Sequence, residues 1–284
     1  MRDLFFLTCG RLKSPAAALA SKPTLANALA TTFMSITVAV VVRENGDLAL
    51  VDAGFSSPVC ADPTGTLGAL RALTLGVDLA AQDSIARQLR ALGLDPARVK
   101  TIVATHLHLD HVGGAADFPN AEVVCSDREL RALFRMPRDA GYRVDDFARE
   151  GRLHVVDLGG APMLGFPRSR DLFADGELVL LDAHGHTPGN VAVAVRGADR
   201  TFVHIGDAVY QSWEFSAATP GPSPIARLTA QDREALARTY GAIRACAADG
   251  CRPVIVPSHD LEVFRALPHA PRAAATTNAA ATGA

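Results

Sequence analysis

The segment Thr105-His106-Leu107-His108-Leu109-Asp110-His111-Val112-Gly113-Gly114 constrains this chain more than any other, because it sets four potential metal ligands within six residues directly behind an apolar run, residues 99–104. Its three imidazoles and one carboxylate supply neutral nitrogen donors and an anionic oxygen, the set that borderline divalent metals such as zinc accept. His106 and His108 stand two apart on an extended segment leaving a strand, so they point the same way and can grip one ion from one side. Asp110 and His111 follow once the chain has begun to turn, and can reach a second ion. Gly113 and Gly114 give the backbone room for that turn. A solvated loop that happens to be histidine-rich is the bland alternative. A buried strand in front and glycines behind argue against it.

Each ion wants about four or five donors, more than one loop supplies. Three further candidates stand in loops that follow apolar runs: His186 in the segment His184-Gly185-His186-Thr187-Pro188-Gly189-Asn190, Asp207 after residues 201–205, and His259 after residues 253–257. One ion can take His106, His108 and His186, and the other Asp110, His111 and His259. Asp207 can bridge, since a carboxylate has two oxygens to share. A hydroxide held between the ions would complete both shells, its pKa lowered toward neutrality.

The rest of the composition excludes other classes. Lys plus Arg (28) nearly balances Asp plus Glu (30), for a formal charge of -2, so neither a nucleic acid nor an anionic membrane is the expected partner. A small-molecule substrate is. Five cysteines without a CxxC pair read as small apolar residues in a reducing compartment. The first residues lack the long apolar stretch of a signal peptide, and no window holds 18 unbroken apolar residues. Cytoplasmic placement is the expectation.

Hydrophobic patterning predicts a first strand at residues 3–9, an irregular segment with one short helix at 11–32, and a hairpin of strands 33–43 and 48–52 around Glu44-Asn45-Gly46-Asp47. A long Gly- and Pro-punctuated excursion follows, residues 55–82. A helix at 83–92 and a strand at 98–104 lead into the metal-ligand loop, and a short strand is expected at 121–125. Ser126-Asp127-Arg128-Glu129 is a capping box for a helix through about residue 134. Residues 153–158, 171–173 and 178–181 read as antiparallel strands, 191–195 and 201–205 as a second hairpin, and Thr229 as the start of a helix with Leu236, Tyr240 and Ile243 on its inner face. The two halves echo each other, each ending in a strand that delivers histidine. The expected fold class is α+β, a four-layer αββα sandwich. One metallo-hydrolase domain, residues 1–267, of two similar halves is expected, with a disordered tail at 268–284.

These residues resemble the metallo-β-lactamase superfamily over roughly residues 33–262. The HxHxDH signature is met by His106 to His111, followed in order by His186, Asp207 and His259 and preceded by Asp52-Ala53-Gly54. Within that superfamily the chain most resembles the N-acyl homoserine lactone lactonases, the quorum-quenching lactonases. The resemblance rests on Asp207-Ala208-Val209-Tyr210, the opening strand Asp3-Leu4-Phe5-Phe6-Leu7 and the pair His259-Asp260, with Leu109 where that group usually has phenylalanine. Many zinc β-lactamases have a cysteine where Asp207 stands. Glyoxalase II enzymes bring a basic cluster after the last histidine, where this chain has only Arg265 and Arg272.

The resemblance implies a hydrolase with two divalent metal ions, zinc foremost, that opens a lactone by attack of a bridging hydroxide. The alternatives are a carboxylic ester or thioester hydrolase of the same fold, with phosphodiesterase and β-lactamase behind them. It implies that Asp110 passes a proton to the leaving oxygen, that Asp207 bridges, and that the Tyr210 hydroxyl stabilises the carbonyl oxygen. Asp52 either orients a ligand imidazole or caps its strand end. His184 could point to the same side as His186, while His204 reads as a core histidine. Phe33, Met34, Phe134, Met136 and Trp213 lie in segments that the family uses around its cleft, as do Leu133 and Phe215. A homodimer through residues 11–32 and 55–82 is expected by the same analogy.

Overall fold

The computed structural model describes residues 1–135, 151–216 and 221–271. Twelve strands among these residues form two sheets. In chain order they are β1 (Asp3–Pro15), β2 (Thr31–Val42), β3 (Leu48–Val51), β4 (Val77–Asp78), β5 (Val99–Val103), β6 (Glu122–Ser126), β7 (Leu153–Val156), β8 (Ser169–Asp171), β9 (Leu178–Asp182), β10 (Val191–Arg196), β11 (Thr201–His204) and β12 (Val254–Val256). The first sheet runs β4-β1-β2-β3-β5-β6-β7 and the second β12-β11-β10-β9-β8.

Alternation along the strands assembles the layers. Leu4, Phe6, Ala39, Val41, Ala49 and Val51 face Leu178, Leu180, Val191, Val193 and Val195 of the second sheet in one apolar cluster. The residues between them, Phe5, Leu7, Val38, Val40, Leu48 and Leu50, point outward and are covered with Ile85, Ala86 and Leu89 of the helix Ile85–Ala91. On the far side Val179, Leu181, Ala192 and Ala194 pack with Leu236, Tyr240 and Ile243 of the helix Arg233–Ala247. A strand with both faces apolar needs cover on both sides, and two such sheets stack with helices outside. The fold is the expected αββα sandwich, and the second sheet's helix presents the inner face read from the sequence.

Several local expectations are corrected. β1 does not stop near residue 9: after a register shift between Thr8 and Arg11 it pairs with β2 as far as Pro15 and Thr31. Gly10, at φ 66, makes that shift. Pairing with β2 overrides the weak strand propensity of this stretch. Helices Ala16–Leu19 and Leu25–Leu29 follow it. The 55–82 excursion holds three short helices, Ser57–Ala61, Pro63–Leu67 and Ala69–Leu75, and strand β4, with the Asp62 side chain accepting from Gly65 N to start the second helix. β7 is parallel to β6 rather than antiparallel, because it follows a helix that crosses over from β6. The helix placed at Thr229 begins at Arg233 with Asp232 as its cap, and Thr229 ends a separate helix, Pro224–Thr229. The start of the expected tail is tied down, since Phe6 N donates to Pro268 O at 2.7 Å. Residues 272–284 lie outside the described residues. No helix among the described residues is long and apolar enough to cross a membrane.

Candidate metal centre

Parallel strands β3 and β5 end side by side, and the first candidate ligands follow the exit of β5. Asp52, just past β3, adopts φ 59 and turns its carboxylate onto the neighbouring loop. It accepts Thr105 N at 2.8 Å, Thr105 Oγ1 at 2.9 Å and His111 Nδ1 at 2.9 Å. Both readings of Asp52 therefore hold: it secures backbone and it orients an imidazole. Because the Thr105 hydroxyl spends its one proton on Asp52, His106 Nδ1, 3.1 Å away, must donate to it, leaving Nε2 of His106 as a bare donor atom. His259 is fixed in the same manner by its Nδ1, 2.7 Å from the Ser35 carbonyl on β2.

The seven side chains singled out from the sequence converge. His108 Nδ1 lies 3.0 Å from His106 Nε2 and 3.2 Å from His186 Nε2. On the other side Asp110 Oδ2 lies 3.6 Å from both His111 Nε2 and His259 Nε2. Asp207 stands between: its Oδ1 is 3.2 Å from His111 Nε2 and from His259 Nε2, and its Oδ2 is 3.6 Å from His186 Nε2. Donors bound at zinc-ligand distances to one tetrahedral ion sit about 3.4 Å apart, close to these spacings. His111 Nε2, His186 Nδ1 and Asp207 Oδ1 are buried and make no hydrogen bond. Buried polar atoms without hydrogen bonds are costly unless something else satisfies them. In the metal-free centre a proton on His111 Nε2 can face Asp207 Oδ1, 3.2 Å away; a cation would take that proton's place, and the donor set fits one. Three groupings, His106–His108–His186, His106–His111–Asp207 and Asp110–His111–His259, each bring their ligand atoms close enough for one ion.

The electrostatics divide the centre. Burial pushes His106 well below its ordinary value, helped by the neighbouring His111 and His108, and lowers His186 to about 3. Burial also lowers His108. For His111 burial acts downward, but the charges of Asp207, Asp110 and Asp52 outweigh it and raise the group. His259 is raised in the same way, with burial opposed by Asp207 and Asp110. Burial would raise Asp207, yet His259 and His111 hold it well below the carboxylate range.

Tyr210 lies over this cluster, its ring stacked on His259 at 5.3 Å between centroids and 19° between planes. Its hydroxyl is 3.2 Å from Thr229 Oγ1. Burial and the Asp207 charge push the phenol well above its usual range, so it stays protonated. Backbone N–H groups of Tyr210 and Gln211 donate to the buried Glu214, at 3.2 and 2.9 Å.

The expected substrate wall is placed unevenly. Phe33 carries the Arg11 guanidinium 4.4 Å from its ring centroid, and Met34 is buried in the apolar cluster under the first sheet. Trp213 is half-buried and its Nε1 donates to Leu19 O at 3.1 Å. Phe134 is 80% exposed at the end of the helix Asp127–Arg135, and Met136 lies outside the described residues. His184 does not join His186: its Nδ1 is 2.6 Å from Asp182 Oδ1, a pairing that draws it to β9. His204 is the core histidine expected, 3.0 Å from Thr37 O.

Glu129 is the residue that sequence reasoning misplaced. Ser126 Oγ accepts Glu129 N at 3.2 Å as a capping box requires. The Glu129 carboxylate instead accepts Leu107 N at 2.9 Å, Thr187 Oγ1 at 2.7 Å and Gly189 N at 3.1 Å. It joins the loop of His106 and His108 to the loop of His186. A Cβ on Gly189 would come within 2.1 Å of Glu129 N, so only glycine admits this approach.

A family model described as the metallo-beta-lactamase superfamily matches residues 34–239, and the chain belongs to that superfamily. It is 36% identical over 175 residues to a probable metallo-hydrolase of Mycobacterium tuberculosis, covering 60% of this chain and 56% of that one. It is 33% identical over 150 residues to the N-acyl homoserine lactonase AttM of Azorhizobium caulinodans, covering 52% and 54%. The chain thus spans about half the length of these curated relatives. Among solved structures, an N-acyl homoserine lactone hydrolase with N-hexanoyl-L-homoserine bound at its catalytic metal centre superposes with a TM-score of 0.70 at 19% identity, over 93% of this chain and 96% of that one.

Proposed function

We propose that the protein is a dinuclear metal-dependent hydrolase that opens a lactone, an N-acyl homoserine lactone or a close analogue, to its hydroxy acid. The observation that carries this reading is Asp207, whose two oxygens face opposite halves of a seven-residue donor set. His106, His108 and His186 would hold one ion and Asp110, His111 and His259 the other, with Asp207 shared. Zinc suits these nitrogen and oxygen donors. Two such ions lower the pKa of a water toward neutrality and polarise an ester carbonyl.

The chain's own groups supply the rest. Asp110 and His108 are less buried than the other ligands, so the centre opens on their side. Asp110, at that opening, has a carboxylate placed to receive the water's proton and pass it to the ring oxygen as the ester bond breaks. Tyr210, kept as a neutral phenol, donates a hydrogen bond to the oxygen on which charge develops. In a lactone the leaving oxygen stays tethered, so the transfer needs no product to depart first.

The test is metal analysis of the purified protein together with acid release from a panel: homoserine lactones of short and long acyl chain, other lactones, a linear ester, a thioester, a β-lactam, a γ-lactam and bis(p-nitrophenyl) phosphate. Acid release from lactones supports the reading, whereas turnover confined to the ester or thioester moves it to the alternative hydrolase class. Turnover of the phosphodiester or a lactam alone removes it. The five free cysteines support a reducing, cytoplasmic setting. Exposed Leu25 and Leu29, with Leu70 and Leu73, support a homodimer through the helices at 25–29 and 69–75. Sedimentation of the protein with Leu29→Glu and Leu73→Glu tests that, and an unchanged mass would remove this surface from the interface.

A further inference from the structure

Besides the Asp207 carboxylate, the hydroxyl of Tyr210 has a second partner whose geometry bears on how it can act. Thr229 Oγ1 lies 3.2 Å from it and donates to the Ile225 carbonyl at 3.0 Å. A threonine hydroxyl has one proton. While that proton is on Ile225 O, the two hydroxyls can bond only with Tyr210 as donor, so Thr229 competes for the phenolic proton with the Asp207 carboxylate that also faces it. If Thr229 instead turns its proton to the Tyr210 oxygen, the phenol is freed to donate elsewhere. A hydroxyl that accepts a hydrogen bond is polarised into a better donor.

We infer that Thr229 is a positioning residue for the proposed reaction. The Tyr210 and Thr229 hydroxyls form a two-position relay that draws the phenolic proton toward Thr229 and away from Asp207 until a substrate oxygen offers an acceptor, and then supports the phenol as it donates. The inference rests on the hydrolytic reading and deepens it. No proton changes its oxygen in this step; only the direction of the two O–H bonds reverses.

The surroundings hold the rest of the pair still. The Tyr210 ring is stacked on His259, and its backbone N–H is fixed by Glu214. The same Glu214 accepts Ser223 N at 3.0 Å and the Tyr240 hydroxyl. Ser223 caps the helix Pro224–Thr229, so one buried carboxylate ties down both Tyr210 and the start of the helix that ends at Thr229. Removing the Thr229 hydroxyl therefore leaves the ring in place and changes only what the phenol can exchange hydrogen bonds with.

The experiment is a double-mutant cycle on the zinc-loaded protein with Thr229→Val, Thr229→Ser, Tyr210→Phe and the pair Tyr210→Phe/Thr229→Val. Thr229→Val is expected to lower kcat about tenfold with zinc content unchanged, and to leave KM within about twofold. Thr229→Ser should restore most of the rate. On the Tyr210→Phe background Thr229→Val should have no further effect. Wild-type kcat in Thr229→Val, or an equal drop with and without the Tyr210 hydroxyl, would overturn the relay. Thermal unfolding of the same zinc-free proteins needs no substrate and so separates this inference from the hydrolytic reading. Non-additive Tm shifts support the hydroxyl pair, and additive shifts overturn it.

Discussion

Replacing Glu129 by glutamine isolates one claim, that a buried carboxylate holds together two loops bearing ligands of the same ion. The carboxylate is fully buried and accepts three hydrogen bonds, from Leu107 N, Thr187 Oγ1 and Gly189 N. Glutamine keeps one acceptor oxygen, which can serve Leu107 N. Its amide nitrogen can donate to the Thr187 hydroxyl, but it then meets Gly189 N donor to donor. One buried N–H is left without a partner, and the remaining bonds lose their charge assistance, a cost of about 1–3 kcal/mol. For a protein of this length each kcal/mol lowers Tm by about 2–4 °C. The variant should therefore unfold about 2–12 °C below wild type, and a buried group that orients ligands typically changes metal affinity by about 10–100-fold. Differential scanning calorimetry of the zinc-free protein and competition with a zinc chelator read the two effects separately. Wild-type Tm with wild-type zinc affinity would refute the reasoning. A lower Tm with undiminished zinc affinity would confine Glu129 to stability.

Three other outcomes follow from the site. His106→Ala and Asp207→Ala should each lose metal and abolish hydrolysis, whereas Tyr210→Phe should cut kcat about 10²-fold with metal content unchanged; unchanged rate in that variant would remove the phenol from the mechanism. Asp52→Asn, which weakens the acceptor of His111 Nδ1, should lower zinc affinity about 10–100-fold, and chelator competition showing no change would reduce Asp52 to a backbone clamp. In the metal-free protein His111 and His259 are raised above the ordinary imidazole value, against burial, by Asp207 and Asp110, so they keep to higher pH than a free imidazole the protons that a metal must displace. Zinc affinity should therefore still climb with pH above the ordinary imidazole value of about 6.5, while His106 and His186, lowered by burial, contribute nothing in that range. Calorimetric titration in buffers of different ionisation enthalpy counts the protons released, and pH-independent binding without release would contradict this.

What could be read from the chain beforehand follows from how local each signal is. The loop at 106–111 carries four candidate donors in one short segment, and His186, Asp207 and His259 each follow an apolar strand, so their convergence was legible without coordinates. The layers were legible too, because alternation such as Val38-Ala39-Val40-Val41 requires cover on two faces. The extension of β1 to Pro15 was not, since its partner lies at the start of β2 and nothing in Lys13-Ser14-Pro15 announces it. Glu129 was misassigned because a capping box is a local motif, while the partners of its carboxylate sit 22, 58 and 60 residues away. A carboxylate one turn into a helix that begins where a buried strand ends is the signal that could have flagged it. The helix start at Asp232 was hidden by a competing hydroxyl at Thr229, which the fold spends on Tyr210 and Ile225. Apolar wall residues such as Met34 and Phe33 carry no pattern that separates cleft from core.

The most direct measurement is the zinc stoichiometry of the wild-type protein beside that of Asp207→Ala, by elemental analysis after equilibration with excess metal and removal of the free ion. Two clusters sharing one carboxylate predict about two ions per wild-type chain, and a loss from both halves when that carboxylate is removed. A folded wild-type protein that retains no ion, or an Asp207→Ala protein that retains the full wild-type complement, would contradict the account.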